Sequence, residues 1–199
     1  IFFYGGVSDG FSQVRVLGVL QRIALCYLLA GLLFVHVDPW GRAAICVSVL
    51  AGYWLLLCYV PAPGLDHASL AEGHNWPNYI DARFLPGRLN NKTWDPEGIL
   101  STLPALVTAL LGVFAGECLT HRGFRDRDRL QYLLGGGILL LVAGYLWGIP
   151  FPVIKKLWTS SYVLVAGGYS LLILALFYLV VDVWKLRAWC APFVWLGSN

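Results

Sequence analysis

The residues able to do chemistry fall into a few short polar clusters within a mostly apolar chain. Asp95-Pro96-Glu97-Gly98 places two carboxylates two residues apart. A positioned carboxylate accepts a proton from an amine nucleophile or holds an ammonium group, so Glu97 and Asp95 are the candidate catalytic pair. Gln21-Arg22 lies inside an apolar run, Val16-Leu-Gly-Val-Leu-Gln-Arg-Ile-Ala-Leu. A guanidinium there costs a few kcal/mol unless it pairs, snorkels or faces a wet cavity. Lys155 precedes Lys156-Leu-Trp158-Thr-Ser-Ser161-Tyr162, a cationic and hydroxyl-rich stretch with an aromatic wall. Arg22 or Lys155 is the type of group that stabilises an oxyanion in acyl transfer.

Each cluster also has a structural reading. Asp is a good helix N-cap, Pro suits the first helical position, and Glu in a first turn complements the helix dipole. On that reading Asp95-Pro96-Glu97 only starts a helix. Arg15, seven residues before Arg22 and near the same helical face, is read as snorkelling to lipid headgroups. Arg22 lies deeper and is expected to face the bundle interior, paired with Glu97 or Asp95. Lys155 and Trp158 can equally be interfacial anchors.

The other polar residues give weaker signals. His67 and His74, with Asp66, Glu72, Asp81 and Arg83, share a long loop whose spacing lacks the tight clustering of zinc ligands, so no metal is expected. Asn91-Lys92-Thr93 fits a glycosylation sequon, which matters only in a secretory compartment. The five cysteines, Cys26, Cys46, Cys58, Cys118 and Cys190, sit in apolar stretches without CxxC spacing and read as free and buried. The basic run Arg122–Arg129 is a solvated loop or, alternatively, meets the phosphates of a nucleotide cofactor.

The elements that must position these groups are membrane helices. The chain of 199 residues is 58% hydrophobic and only 13% charged, with mean hydropathy +0.68. A soluble domain averages about 25% charged. This excludes a disordered chain, a basic nucleic-acid-binding domain and an ordinary soluble enzyme. The fold class is all-α, a polytopic transmembrane bundle forming a single domain over 1–199. Spans of about 20 apolar residues are expected at 16–37, 43–60, 99–118, 130–147 and 158–181. A sixth begins near Trp189. Asp38–Arg42 reads as a tight turn, and 61–98 as a long loop holding most of the polar chemistry. Gly135–Gly137 and Gly167-Gly168 read as sites of close helix packing. Because the chain opens on Ile1 and lacks Met, the expectation is an internal piece of a longer protein, inactive in acyl transfer alone. The cations divide evenly between the two sides, but those of 121–129 are densest, which places that loop in the cytoplasm and 61–98 outside.

Taken together, these stretches resemble the heparan-α-glucosaminide N-acetyltransferase family, especially its bacterial members. The resemblance rests on Phe3-Tyr-Gly-Gly6, Arg15-Val-Leu-Gly-Val-Leu-Gln-Arg22, Tyr79-Ile-Asp81, Phe84-Leu-Pro-Gly-Arg88 and Trp94-Asp-Pro-Glu-Gly98. It continues through Leu100-Ser-Thr-Leu-Pro104, Leu111-Gly112, Ala115-Gly-Glu117, Pro152-Val-Ile-Lys155, Leu157-Trp-Thr-Ser-Ser-Tyr162 and Gly197-Ser-Asn199. One departure is Asp81-Ala82-Arg83, where the family pattern has Asp directly followed by Arg. The resemblance implies a membrane enzyme of the bacterial inner membrane. It would move acetyl from cytosolic acetyl-CoA to the amine of a glucosamine-type sugar or glycan on the outer side, with the lipid bilayer as a partner and a homodimer as one expected state. It implies that Arg22, Gln21, Asp81, Lys155, Trp158 and Ser161 bind substrate beside Glu97 and Asp95. The family's acetyl-handling histidine precedes this region, and none of His36, His67, His74 or His121 matches its context. The alternative, from another class, is an amino-sugar transporter that moves its substrate unchanged. A purely structural membrane subunit would leave Arg22, Glu97 and Lys155 as helix-end anchors.

Overall fold

A computed structural model describes residues 15–86, 89–90 and 94–197. Phe3–Gly6, Arg88, the Asn91–Thr93 sequon and Ser198-Asn199 lie outside the described residues. Among the described residues seven α-helices follow in order: α1 Val19–His36, α2 Pro39–Tyr59, α3 Trp76–Phe84, α4 Thr102–Thr120, α5 Asp126–Gly148, α6 Ser160–Tyr178 and α7 Ala191–Gly197. A π-helical turn, Leu179–Val183, prolongs α6. Among the described residues five helices are long and apolar enough to cross a membrane, at 18 to 24 residues. At 1.5 Å per residue they reach about 27–36 Å, matching a hydrocarbon core of about 30 Å. This is a multi-pass membrane protein, as the composition indicates.

Local chemistry explains the helix starts, and several differ from expectation. Asp38 caps α2 by accepting from the backbone N–H of Trp40 and Gly41, with Pro39 in the first turn. The expected turn at 38–42 is therefore mostly helix, and Arg42 is a buried member of α2 rather than a loop cation. Asn75 caps α3, an unforeseen helix inside the long loop, by accepting from Asn78 N–H. Thr159 caps α6 through Tyr162 N–H. Asp95 does not cap α4. That helix begins at Thr102, and residues 95–98 form a turn closed by Gly98 N–H on the Asp95 carbonyl, 2.9 Å.

α4 is the central helix, packed against α1, α2, α5 and α6. Its buried Ala105, Leu106, Val107 and Leu110 meet Cys26, Ala30, Cys46, Leu50, Val163 and Leu164 in the main core. α5 and α6 make the most extensive pairing. A Cβ on Gly168 would lie 2.8 Å from the Gly137 carbonyl and 2.9 Å from Leu141 N. These two glycines let the backbones meet directly, whereas Gly135 faces open space. Large apolar side chains such as Leu139, Leu146, Ile173 and Leu176 face outward, as lipid requires.

Two charged clusters mark opposite ends of the bundle. One is the 95–98 turn before α4. The other is Arg42, 2% exposed, whose Nη2 donates to Glu117 Oε1 at 2.6 Å near the far end of α4. Its guanidinium carbon also lies 5.0 Å from the Phe34 ring centre and 5.5 Å from that of Phe114.

Candidate functional site

The acidic turn is assembled from three elements. Arg15, just before α1, donates through Nε to Asp95 Oδ2 at 2.7 Å and through Nη2 to Asp95 Oδ1 at 2.5 Å. The same Nη2 reaches Glu97 Oε2 at 2.5 Å. Arg15 is thus the cation that pairs with both carboxylates, and the headgroup reading of it is overturned. Asp95 is 1% exposed and also accepts from the backbone N–H of Asn90 and Glu97, at 3.1 and 3.0 Å. Burial pushes its carboxyl up, but the Arg15 and Glu97 contacts outweigh that and hold it below the usual range. Glu97 keeps partial exposure, 17% of its side chain, so it is the carboxylate a ligand can meet.

Asp81, on α3, supports the turn from behind. It is fully buried. Its two carboxylate oxygens accept from Ile99 N–H at 3.0 Å and Asp95 N–H at 3.3 Å. Desolvation raises it to about 6. A Cβ on Gly98 would fall inside this carboxylate, so glycine is required there for close approach rather than for turn geometry.

Arg22 is 6% exposed and faces inward, but it does not pair with Glu97 or Asp95 as expected. Its Nη1 donates to the Pro96 carbonyl at 2.9 Å, between the two acids, and its guanidinium stacks 3.9 Å from the Trp158 ring centre. Arg15 holds both carboxylates, and Arg22 bonds instead to the carbonyl of the Pro96 between them. Trp158 in turn donates Nε1–H to Thr108 Oγ1 of α4, 3.2 Å. Its φ is +53°, a left-handed backbone that costs a bulky residue about 1–3 kcal/mol. Strain of that kind persists only where surrounding contacts impose it, and here it aims an indole at a buried arginine.

Of the other candidates, Gln21 and Lys155 are exposed. Ser161 is buried and donates to the Pro152 carbonyl at 3.1 Å, stitching the loop before α6. The structure therefore brings Arg22, Trp158, Asp95 and Glu97 together, sets Asp81 behind them, and leaves Gln21, Lys155 and Ser161 apart. Arg15, Thr108 and Tyr53 also belong to the cluster. A hydroxyl or phenol in a charge-free span was the only signal for the last two.

A cavity of about 380 Å³ opens against Arg22 and Trp158, between α1 and α4. It shares Tyr27 and Ala109 with a second, of about 500 Å³, which runs on past Gly31, Gly112 and Gly116 to Glu117. Together they form an apolar groove along α4 from the acidic end to the Arg42–Glu117 end.

Two curated relatives match this chain. Human heparan-alpha-glucosaminide N-acetyltransferase is 31% identical, over 94% of the chain. The similarity to the heparan-alpha-glucosaminide N-acetyltransferase family runs through nearly the whole of the chain. The mouse protein of the same name is 28% identical over the same share. The chain spans 36% of the length of each of these relatives. No family model matches it. Both relatives carry N-acetyltransferase in their names.

Proposed function

We propose that the complete protein is a membrane acetyltransferase that moves acetyl from cytosolic acetyl-CoA to the amine of a glucosamine-type sugar or glycan. The observation that supports this best is the groove along α4 that ends at Arg22, whose guanidinium is bonded to the Pro96 carbonyl next to Glu97 in the chain. Its walls of Gly31, Ala109, Gly112 and Gly116 suit a thin, extended arm. Acetyl-CoA supplies the activated thioester. Tyr27, Ala109, Gly112 and Gly116 would line its path, and Arg22 would offer N–H groups at the end of that path. Such donors stabilise an oxyanion where they are preorganised and shielded from water, and stacking on Trp158 holds this guanidinium in place.

Glu97 is assigned the acceptor side. It binds the sugar's ammonium and takes the proton as the amine becomes a nucleophile. Asp95 is assigned to hold Arg15 and the turn, since four donors already occupy it. The 61–98 loop is placed outside a bacterial inner membrane and 121–129 in the cytoplasm.

The test uses the full-length protein in proteoliposomes with labelled acetyl-CoA and glucosamine. Acetylated product is expected, and Glu97→Gln should lower turnover by about 10²-fold, the usual scale for loss of a general base, at unchanged melting temperature. Glucosamine that crosses the bilayer unchanged, with no acetylated product, would establish transport instead. Near-normal turnover in Glu97→Gln would return Glu97 to a structural role.

A further inference from the structure

The backbone at Trp158 is held from a distance. φ of Trp158 is rotation about its N–Cα bond, so it is set by the plane of the Leu157–Trp158 peptide. That peptide is tied at both ends. Its N–H donates to the Lys155 carbonyl at 3.1 Å. Its C=O accepts a 2.6 Å hydrogen bond from the hydroxyl of Tyr53, which lies on α2, 104 residues earlier in the chain. Both Tyr53 and Leu157 are buried, so water does not compete for this bond. Beyond the peptide, the indole is tied to Thr108 and stacked on Arg22, and Arg22 is tied to the Pro96 carbonyl. A connected path of direct contacts thus runs from a phenol inside the bundle to the acidic turn.

We propose that Tyr53 is a positioning residue: its hydroxyl fixes the Leu157–Trp158 peptide, and through it the indole that holds Arg22 at the head of the groove. Tyr53 lines neither of the two cavities, and its hydroxyl donates to the Leu157 carbonyl, so its hydrogen bond reaches the site by way of Trp158. Without the hydroxyl, the Leu157 carbonyl loses its buried partner, and the peptide is free to turn so that Trp158 leaves the left-handed region. The indole then slides off Arg22, and the groove loses its shaped end. The inference about geometry stands independently of the acetyltransferase reading; its effect on turnover rests on that reading.

The experiment is Tyr53→Phe in the full-length protein, which keeps the ring and removes one oxygen. In protein labelled with ¹⁵N-tryptophan, the Trp158 indole N–H signal is assigned by its loss in Trp158→Phe. It should shift or broaden in Tyr53→Phe, and also in Thr108→Val, which cuts the tether at the other end. The signal of Trp40, exposed at the start of α2, should stay in place. In acetyl transfer, Tyr53→Phe should lower kcat about tenfold with a smaller change in KM. It should have no added effect in a Trp158→Gly background, where glycine adopts positive φ freely and there is no indole to place. An unmoved Trp158 signal in Tyr53→Phe overturns the proposal, as do losses that multiply across the two backgrounds. Should no acetyl transfer be detected at all, the proposed function fails, while the indole signal still decides the role of Tyr53.

Discussion

Asp81 on α3 and Asp95 in the turn it supports are both buried carboxylates, yet their acidities move in opposite directions. Asp81 accepts only backbone N–H groups, and its burial leaves it at about 6 against an ordinary 3.8. The folded chain therefore holds that proton more tightly than the unfolded chain. The Asp81 contribution to stability is fullest below about 4 and is lost as pH rises through about 6. Asp95 has Arg15 beside it and a lowered value, so its contribution is present above about 4 and is lost as pH falls through its folded value. Asp81→Asn removes the first dependence only. Thermal unfolding in detergent should show the variant's melting temperature gaining on the wild type's between pH 4 and pH 7. A gap that is constant over this window would mean that Asp81 does not titrate there. None of this was legible in the sequence. Asp95-Pro96-Glu97 reads equally well as a helix start, and only the 80-residue separation between Arg15 and Asp95, closed by the fold, decides against it.

At the scale of elements, the spans were legible and their joints were not. Twenty apolar residues have one stable fate in lipid, since every backbone N–H and C=O must be satisfied internally. The expected 43–60 and 130–147 become 39–59 and 126–148, because Asp38-Pro39 and Asp126/Asp128 start helices in residues that hydropathy counts as loop. α3 was hidden for the opposite reason: its WPNYIDARF sequence has little hydrophobicity to register. The glycine expectation holds at Gly137 and Gly168, where the α5 and α6 backbones meet. Gly168→Ala would set a methyl against the Gly137 carbonyl and Leu141. It should destabilise the α5–α6 pair by about 1–3 kcal/mol, the usual scale for overpacking. Gly135→Ala, which meets nothing, should be close to neutral in the same unfolding assay. Equal losses in both would show that the pair is not packed through Gly168.

The whole molecule is closed at both ends by ion pairs that link distant segments: Arg15 with Asp95 and Glu97 at one end, Arg42 with Glu117 at the other. Breaking a buried pair from one side strands the remaining charge, at about 3–5 kcal/mol. Arg42→Met should therefore destabilise less than Glu117→Gln, because Arg42 is the member with almost no access to solvent. Unfolding of both single variants and of the double variant checks this, and the double variant should recover part of the Glu117→Gln loss. Equal single losses with no recovery would show that the pair is not coupled. The same two ends fix what topology must explain. An impermeant thiol reagent should miss a cysteine placed at position 125 in intact cells and reach one placed in the 61–74 loop.

The Arg42–Glu117 contact also sets a timetable for synthesis. Arg42 leaves the ribosome 75 residues before its partner. At about 5–20 residues per second, the interval is roughly 4–15 seconds. During it, α2 meets the bilayer with a cation near one end, and the carboxylate that pairs with it in the folded chain arrives with α4. Anionic headgroups or the insertion machinery must shelter that charge in the meantime. α1 and α2 are thus committed to the membrane provisionally, and the arrival of α4 makes their arrangement permanent.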